Sequence, residues 1–448
     1  MTEKWDNKAL FGLIWPLIIE QVLAVTMGAA DTVMVSSVGE FAVSGVNIID
    51  NINNLLVIAF IASATGGAVV VSQYIGRRDN KNASLASKQL FYIVTFVSLL
   101  IMGIALVLNR PAIRFFYGKI EDDVMDAAAI YFFITAISYP FLAIYNAAAA
   151  LFRAVGNSKV PMRIALLTNI MNIGGNAIFI YIFKIGTTGA ALSTLICRVT
   201  AAVILTAMLI VNRRGPITLE GLLKIKLIRP TIRSILNVGV PSGIESSMFQ
   251  VGRLSTQRIF TYFGTAALAA NAVAGVVNSF SFMPGNAYAM TLLTVVGQCV
   301  GAGDIEAAKR LTAKIMKLAY GTIFLVSGLV YIFMDSIIGL FGLSPEAHEL
   351  AKLFLRVHCI SMAIGWGLSF ALPNALRAAG DARYVMMAAS ISMWTVRVSA
   401  AYLITFVFKI GPLGVWIAMG LDFIVRGTCY LTRWLRGSWQ GKKVIEDT

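Results

Sequence analysis

The stretch "WPLIIEQ" at residues 15–21 has a counterpart, "VPSGIES", at residues 240–246. Pro16 and Pro241 stand 225 residues apart, and so do Glu20 and Glu245. The same offset joins "VGEFAV" (38–43) to "FGTAAL" (263–268), and "SQYIGRRDNKNA" (72–83) to "GQCVGAGDIEAA" (297–308). Further on, "FRAVGNSKVPM" (152–162) matches "LRAAGDARYVM" (376–386) at an offset of 224, and "KIGTTGAAL" (184–192) matches "KIGPLGVWI" (409–417) at 225. One offset held over most of a unit marks two copies of that unit.

Each copy is built for a bilayer. Hydrophobic residues make up 58% of the 448 and charged residues only 13%, about half the charge of a soluble domain. Residues 89–109, 164–183 and 259–303 carry no charge, and an apolar run of roughly 18 residues reads as a helical span. About twelve spans are expected, starting near Leu10, Asn47, Lys88, Ala127, Pro161, Gly189, Ile232, Leu268, Lys314, Leu350, Tyr384 and Gly414. A membrane β-barrel is disfavoured, because these runs do not alternate apolar and polar residues. Six spans per copy is an even number, so the copies share one orientation. The expected fold is an all-α polytopic membrane protein of two six-helix lobes. A pseudo-two-fold axis along the membrane normal relates them, with substrate near the midplane. The lobes are read as residues 1–212 and 231–448, the latter with the tail. The basic segment 213–230, "RRGPITLEGLLKIKLIRP", joins them.

A net charge of +15 raises the question of nucleic acid, and position answers against it. The basic residues fall in alternate loops: Arg77, Arg78, Lys81 and Lys88, then Arg153, Lys159 and Arg163, then Arg213, Arg214, Lys224, Lys226 and Arg229. The pattern continues with Lys309, Arg310, Lys314 and Lys317, with Arg377 and Arg383, and with Arg433, Arg436, Lys442 and Lys443 in the tail. Segment 110–126 is the exception, mixing Arg110, Arg114 and Lys119 with four acids. By the positive-inside rule both termini are cytoplasmic, in a bacterial-type plasma (inner) membrane. The expected partners are the lipid bilayer and a small-molecule substrate, with no nucleic acid, and one chain is expected to work as a monomer. Cys197, Cys299, Cys359 and Cys429 have neither metal nor disulfide spacing and read as packing residues.

No P-loop, HExxH or G-x-S-x-G constellation occurs, so no catalytic residue is assigned and an enzyme is not expected. No cofactor is expected either. Energy has to come from an ion gradient, a partner or the substrate's own gradient.

The acids within the spans carry the functional reading. A carboxylate at the bilayer centre costs ~2.5 kcal/mol or more. Glu20 and Asp31 are eleven residues apart, about three helical turns, and share a face. Pro16 cannot donate to the Gly12 carbonyl, and free carbonyls beside carboxylates suit a proton or sodium site. Glu20 and Glu245, equivalent by the repeat, are expected to face one central cavity that takes cationic substrates or exchangeable protons. Arg253 lies two turns beyond Glu245, where it either pairs with that acid or anchors the span at the interface. Asp422 and Arg426 have the i,i+4 spacing of a local ion pair. Asn169, Asn172 and Asn176 line one helical face. Such a stripe can offer oxygens to Na+, hydrogen bonds to a substrate, or bonds to a neighbouring helix. Gly66, Gly67, Gly174 and Gly175 read as close-packing positions.

These residues together resemble the multidrug and toxic compound extrusion (MATE) transporters. The resemblance rests on Pro16 followed by "ADTVMVSSVG" (30–39), on "VSQYIGRRD" (71–79), "RAVGNSKVP" (153–161), "NIMNIGGNAIFIY" (169–181) with "GTTGAALST" (186–194), and "GVPSGIESSMFQVGR" (239–253). It covers essentially the whole chain. The resemblance implies a secondary transporter with two six-helix lobes that exports cationic or amphipathic drugs in exchange for H+ or Na+. It implies ion coupling at Asp31, which matches the family's first-span acid, and at Asn172 and Asn176, which match polar fifth-span positions. Na+ at Asp31 is the one metal assignment. The family often has Asp where this chain has Asn176. The second-lobe acid of some branches falls near Phe249 and Gln250 here. Glu20, Glu245, Asn169, Gln250 and Arg253 are therefore the expected substrate-facing set. A lipid-linked sugar flippase of the same superfamily is the nearest alternative reading, and an ion channel is a more distant one.

Overall fold

The computed structural model describes residues 4–118, 120–212, 215–442 and 444–445. Lys119, Arg213, Arg214 and Lys443 lie outside the described residues. No strand occurs among the described residues. Twelve long helical elements do. The first six are α1 (Asn7–Ser36), α2 (Glu40–Gly76), α3 (Asn80–Val107), α4 (Asp122–Ile137 with Tyr139–Ala154), α5 (Lys159–Ile182) and α6 (Gly186–Val211). The second six are α7 (Arg229–Tyr262), α8 (Thr265–Gly301), α9 (Ile305–Ile332), α10 (Pro345–Ala378), α11 (Ala382–Val407) and α12 (Leu413–Leu435). Short helices Asn109–Tyr117 and Met334–Gly339 follow α3 and α9.

Every expected span has its helix, and several begin earlier than their apolar runs. α2 starts at Glu40 and α9 at Ile305, well before Asn47 and Lys314. At α9 and α3 the first turns extend beyond the apolar stretch because their ends are satisfied locally, whereas α2 starts after Gly39 with no side-chain cap. The Asp304 carboxylate accepts from the Ala307 backbone N–H at the start of α9, and Asp79 does the same for Asn82 at α3. That backbone bond holds the Asp304 carboxyl below the usual carboxylate range. Among the described residues ten helices are long and apolar enough to cross a membrane, eleven with the bent α4. α7 is long enough but too polar, carrying Asn237, Ser242, Glu245, Ser246, Ser247 and Gln250.

The repeat is written into the backbone. Left-handed residues recur at matched positions: Gly39 with Gly264, Arg78 with Gly303, Gly118 with Gly342, Gly156 with Gly380, Lys184 with Lys409, and Gly186 with Gly411. Each lies at a turn between two helices, where the chain reverses. Gly380 (φ +97°) shows why the residue type matters. A Cβ there would meet the backbone carbonyl of Lys442. Gly380→Ala is therefore expected to cost more than about 1 kcal/mol, seen as a lower melting temperature of the detergent-extracted protein. An unchanged melting temperature would remove this explanation of the turn.

The chain forms two compact units, Phe11–Gly243 and Ile244–Thr448 with Met1–Leu10. The boundary between these units falls inside α7. The reason is that the first part of α7 packs against α2: a Cβ on Gly66 would strike the Ile235 carbonyl. The joining segment is itself pinned to α3. Gln89 donates to the Lys226 carbonyl (2.8 Å) and accepts from the Ile228 N–H (3.0 Å), while Tyr92 donates to the Leu222 carbonyl (2.7 Å).

Glycine sets other close approaches in the first unit. Gly67 abuts Leu90 of α3, and Gly175 abuts Ser193 of α6. Gly174, also expected at a packing surface, has open space around it. In the second unit Gly285 lies against Trp366, and Gly365 against Phe423. The four cysteines are free.

Several helices widen into π-helical turns. One is Ala177–Ile182 in α5, and its counterpart by the repeat is Leu403–Val407 in α11. Two more occur in the second unit, Met362–Ala371 in α10 and Met393–Val398 in α11. π-Turns often mark functional positions, and the first directly follows Asn176.

Candidate functional site

In the first unit α1 delivers Asp31 to the asparagine face of α5. Asn176 donates its Nδ2 to Asp31 Oδ1 at 2.5 Å, and Asn172 Oδ1 lies 3.5 Å from the same nitrogen. Asn172 and Asn176 are fully buried, while Asp31 is half-buried. α6 closes the back of the site, with Ser193 Oγ donating to the Asn172 carbonyl (3.0 Å). Asn169, one turn earlier, turns its Nδ2 to the Ala165 carbonyl of its own helix (2.9 Å). The stripe therefore divides: Asn172 and Asn176 meet the acid, and Asn169 does not. Among the described residues Asn176 Oδ1 has no hydrogen-bond partner, so an oxygen donor is available beside the carboxylate. A carboxylate with amide oxygens is the donor chemistry that hard cations such as Na+ accept.

The structure adds two charges that the sequence reading left out of this site. Asp50 of α2 and Arg198 of α6 both lie within charge–charge range of Asp31. Asp50 also interacts with Arg198, and the side chains of Asn53 and Tyr131 stand beside it. Arg198 Nη1 donates to Ser138 Oγ at 2.6 Å, and Ser138 sits where α4 bends by 47°. Asn53 Oδ1 accepts from the Tyr139 hydroxyl at 2.6 Å. The sequence reading gives Asp50 no role. The helix begins at Glu40, which carries Asp50 well inside it.

The formal charge of the site decides what it can do. Asp31 and Asp50 bring two negative charges and Arg198 one positive. The remainder is one negative charge, which one proton or one monovalent cation neutralises.

The repeated glutamates have partners of their own. Glu20 Oε1 meets Arg153 Nη1 at 2.9 Å, and Glu245 Oε2 meets Arg377 Nη2 at 2.5 Å. All four side chains are largely buried, with 11–15% of each exposed. Arg153 and Arg377 stand in "FRAVG" and "LRAAG", themselves a matched pair, so the ion pair as a whole is repeated. Glu20 Oε2 has no hydrogen-bond partner among the described residues. Arg253 does not pair with Glu245; it is exposed at the surface of its unit. Gln250 is half-buried. Asp422 and Arg426 do form the expected local pair, at 3.6 Å. No group of three or more His, Cys, Asp or Glu side chains gathers among the described residues.

A family model described as MatE matches the chain twice, over residues 16–178 and 241–403. The chain belongs to the MatE family. The two matches begin 225 residues apart and end 225 residues apart, the spacing of the internal repeat. This MatE chain is similar to the transporter YisQ of Bacillus subtilis, 29% identical over 437 residues, with 96% of this chain and 94% of that protein covered. It is similar to the probable multidrug resistance protein NorM of Thermotoga maritima, 26% identical over 448 residues, with 98% and 94% covered. Its fold matches the crystal structure of MATE in the bent conformation with a TM-score of 0.89 at 19% identity, covering 98% of this chain and 97% of that one. The MatE chain is thus a multi-pass membrane transporter, and its fold is that of twelve helices in two lobes.

Proposed function

We propose that this transporter exports cationic or amphipathic small molecules, driven by the exchange of H+ or Na+ at Asp31. The observation that carries this reading is the half-buried Asp31, bonded by Asn176 beside Asn172, with one negative charge left over once Asp50 and Arg198 are counted. A proton or Na+ arriving from outside neutralises that charge. α1 holds Asp31 and contains Pro16, whose missing N–H weakens the helix at that point. Neutralisation removes the electrostatic hold of Arg198 on Asp31 and releases α1 to rearrange, which is the ion-dependent step of alternating access.

Substrate recognition is assigned to Glu20, Glu245, Asn169, Gln250 and Arg253. The arginine partners of both acids would compete there with a cationic substrate. The chain works as a monomer in a bacterial-type inner membrane with both termini cytoplasmic, its lobes spanning 1–212 and 231–448 with the basic segment 213–230 joining them. The similarity to NorM, a probable multidrug resistance protein in Thermotoga maritima, supports the substrate class.

Proteoliposomes test the reading. With an inward gradient of H+ alone or Na+ alone, one of the two is expected to drive counter-transport of ethidium. Transport of ethidium with neither gradient dependence, or movement of a lipid-linked sugar instead, would overturn it.

A further inference from the structure

The second lobe holds the reverse arrangement of charge. By the repeat offset of 225, Asn172 corresponds to Arg397 and Asp31 to Thr256. The same offset places Phe423 opposite Arg198, with Asp422 its immediate neighbour. Where the first lobe sets two acids around one arginine, the second sets three arginines around one acid.

Arg397 and Arg426 are 6% and 3% exposed and Asp422 is fully buried. Asp422 Oδ1 already accepts from Ser392 Oγ at 2.6 Å, and its Oδ2 stands 3.6 Å from Arg426 Nη2. Arg253 lies within charge range of Arg397 at the exposed edge of the same group. The sum is two positive charges in excess. The nearby Glu245–Arg377 pair is neutral as a unit and does not offset them. Among the described residues, Nε and Nη1 of Arg397 and Nε and Nη2 of Arg426 have no hydrogen-bond acceptor.

Aromatic rings pack around the same two guanidinium groups. The Arg397 guanidinium stands 5.0 Å from the Phe249 ring centre. Arg426 stands 4.6 Å from Phe370, 5.8 Å from Phe249 and 6.0 Å from Phe423. Ring faces attract a guanidinium by ~0.5–2 kcal/mol, but they accept none of its forked N–H bonds in the way a carboxylate does. Arg397 sits on the π-turn Met393–Val398 and Phe370 on the π-turn Met362–Ala371. The first lobe has no described π-turn at the position matching Met393–Val398.

We propose that Arg397 and Arg426, with Phe249, Phe370 and Phe423, form a binding site in the second lobe for the carboxylate of an aromatic organic anion, with Arg253 at its edge. The proposal rests on the reading of this chain as a small-molecule transporter. The guanidinium forks take the carboxylate oxygens bidentately, and the rings take the aromatic body. A transporter so built carries a cation-responsive site in one lobe and an anion-responsive site in the other, and it accepts zwitterionic or acidic amphipaths that a purely acidic cavity would repel.

The test is equilibrium binding to the purified full chain in neutral detergent, with fluorescein as the aromatic anionic probe and fluorescence anisotropy as the readout. Saturable binding is expected. Arg397→Met should weaken it about tenfold or more, as losing a charge-assisted bond does, while Arg397→Lys should retain part of it. Binding of the cationic probe rhodamine 6G should not change in Arg397→Met. In the wild type, fluorescein should also protect Arg397 from phenylglyoxal modification, read by peptide mass spectrometry, which needs no variant to fold. Equal fluorescein affinity in Arg397→Met, or labelling of Arg397 indifferent to fluorescein, overturns the proposal. Neither measurement uses an ion gradient, so a protein that binds fluorescein here yet fails to drive efflux counts against the exporter reading alone.

Discussion

Asp31→Asn is expected to reduce gradient-driven efflux by up to about 100-fold, the range spanned by coupling free energies of ~1–3 kcal/mol, while leaving the protein folded. The substitution is nearly isosteric. An asparagine at 31 still offers an oxygen to Asn176 Nδ2, so the 2.5 Å contact can persist. What disappears is the charge that an ion has to neutralise. With Asp50 and Arg198 unchanged, the site becomes neutral without any ion, and the ion gradient no longer biases α1. Equilibrium binding of a cationic dye should survive better than transport does. Vesicle efflux under an imposed gradient gives the measurement. A rate equal to that of the wild type would show that Asp31 is not the coupling residue.

Arg153→Met is expected to have a large effect on the stability of the first lobe. Removing one partner of a buried ion pair costs ~3–5 kcal/mol, because the other charge stays buried without compensation. Glu20 would be that charge, with its Oε1 losing the 2.9 Å contact and its Oε2 already lacking a partner. The double variant Glu20→Gln/Arg153→Met removes both charges and should recover most of the loss. Arg377→Met with Glu245→Gln should behave the same way in the second lobe. Monodisperse yield and melting temperature after extraction report both. A single variant as stable as the wild type, or a double variant no better than the single, would remove the structural role of the pair.

The repeat and the twelve helices were legible because both are long-range regularities of the chain. Apolar runs of span length and an offset kept within one residue across five matched segments do not depend on knowing any contact. The partners of the acids were not legible to the same degree. Arg153 and Arg377 read as basic loop residues because they stand near helix ends, where positive charge also marks the cytoplasmic side. Only the fold brings Arg153 to Glu20, 133 residues earlier. The matched recurrence of both members, at 225 for the acids and 224 for the arginines, was the signal available in the sequence. Asp50 falls only three residues after the expected start of its span, and no spacing to another charge singles it out; the helix begins at Glu40 and carries it well inside. Arg397 was visible as a charge in an apolar stretch, and its match to Asn172 becomes informative once Asn172 is seen against Asp31.

The left-handed turns have a consequence for how the chain is made. In the first half they are closed over very short distances: Asp79 bonds back to Tyr74, Gly118 to Arg114, Asn157 to Phe152, and Ile185 to Phe179. Closing so small a loop costs little chain entropy, and nothing downstream is needed to do it. Each hairpin of the first half can therefore lock as soon as its second helix leaves the ribosome and enters the bilayer. The nascent protein would reach the midpoint of its synthesis with its reversals already set, and the second half then repeats the same sequence of local closures.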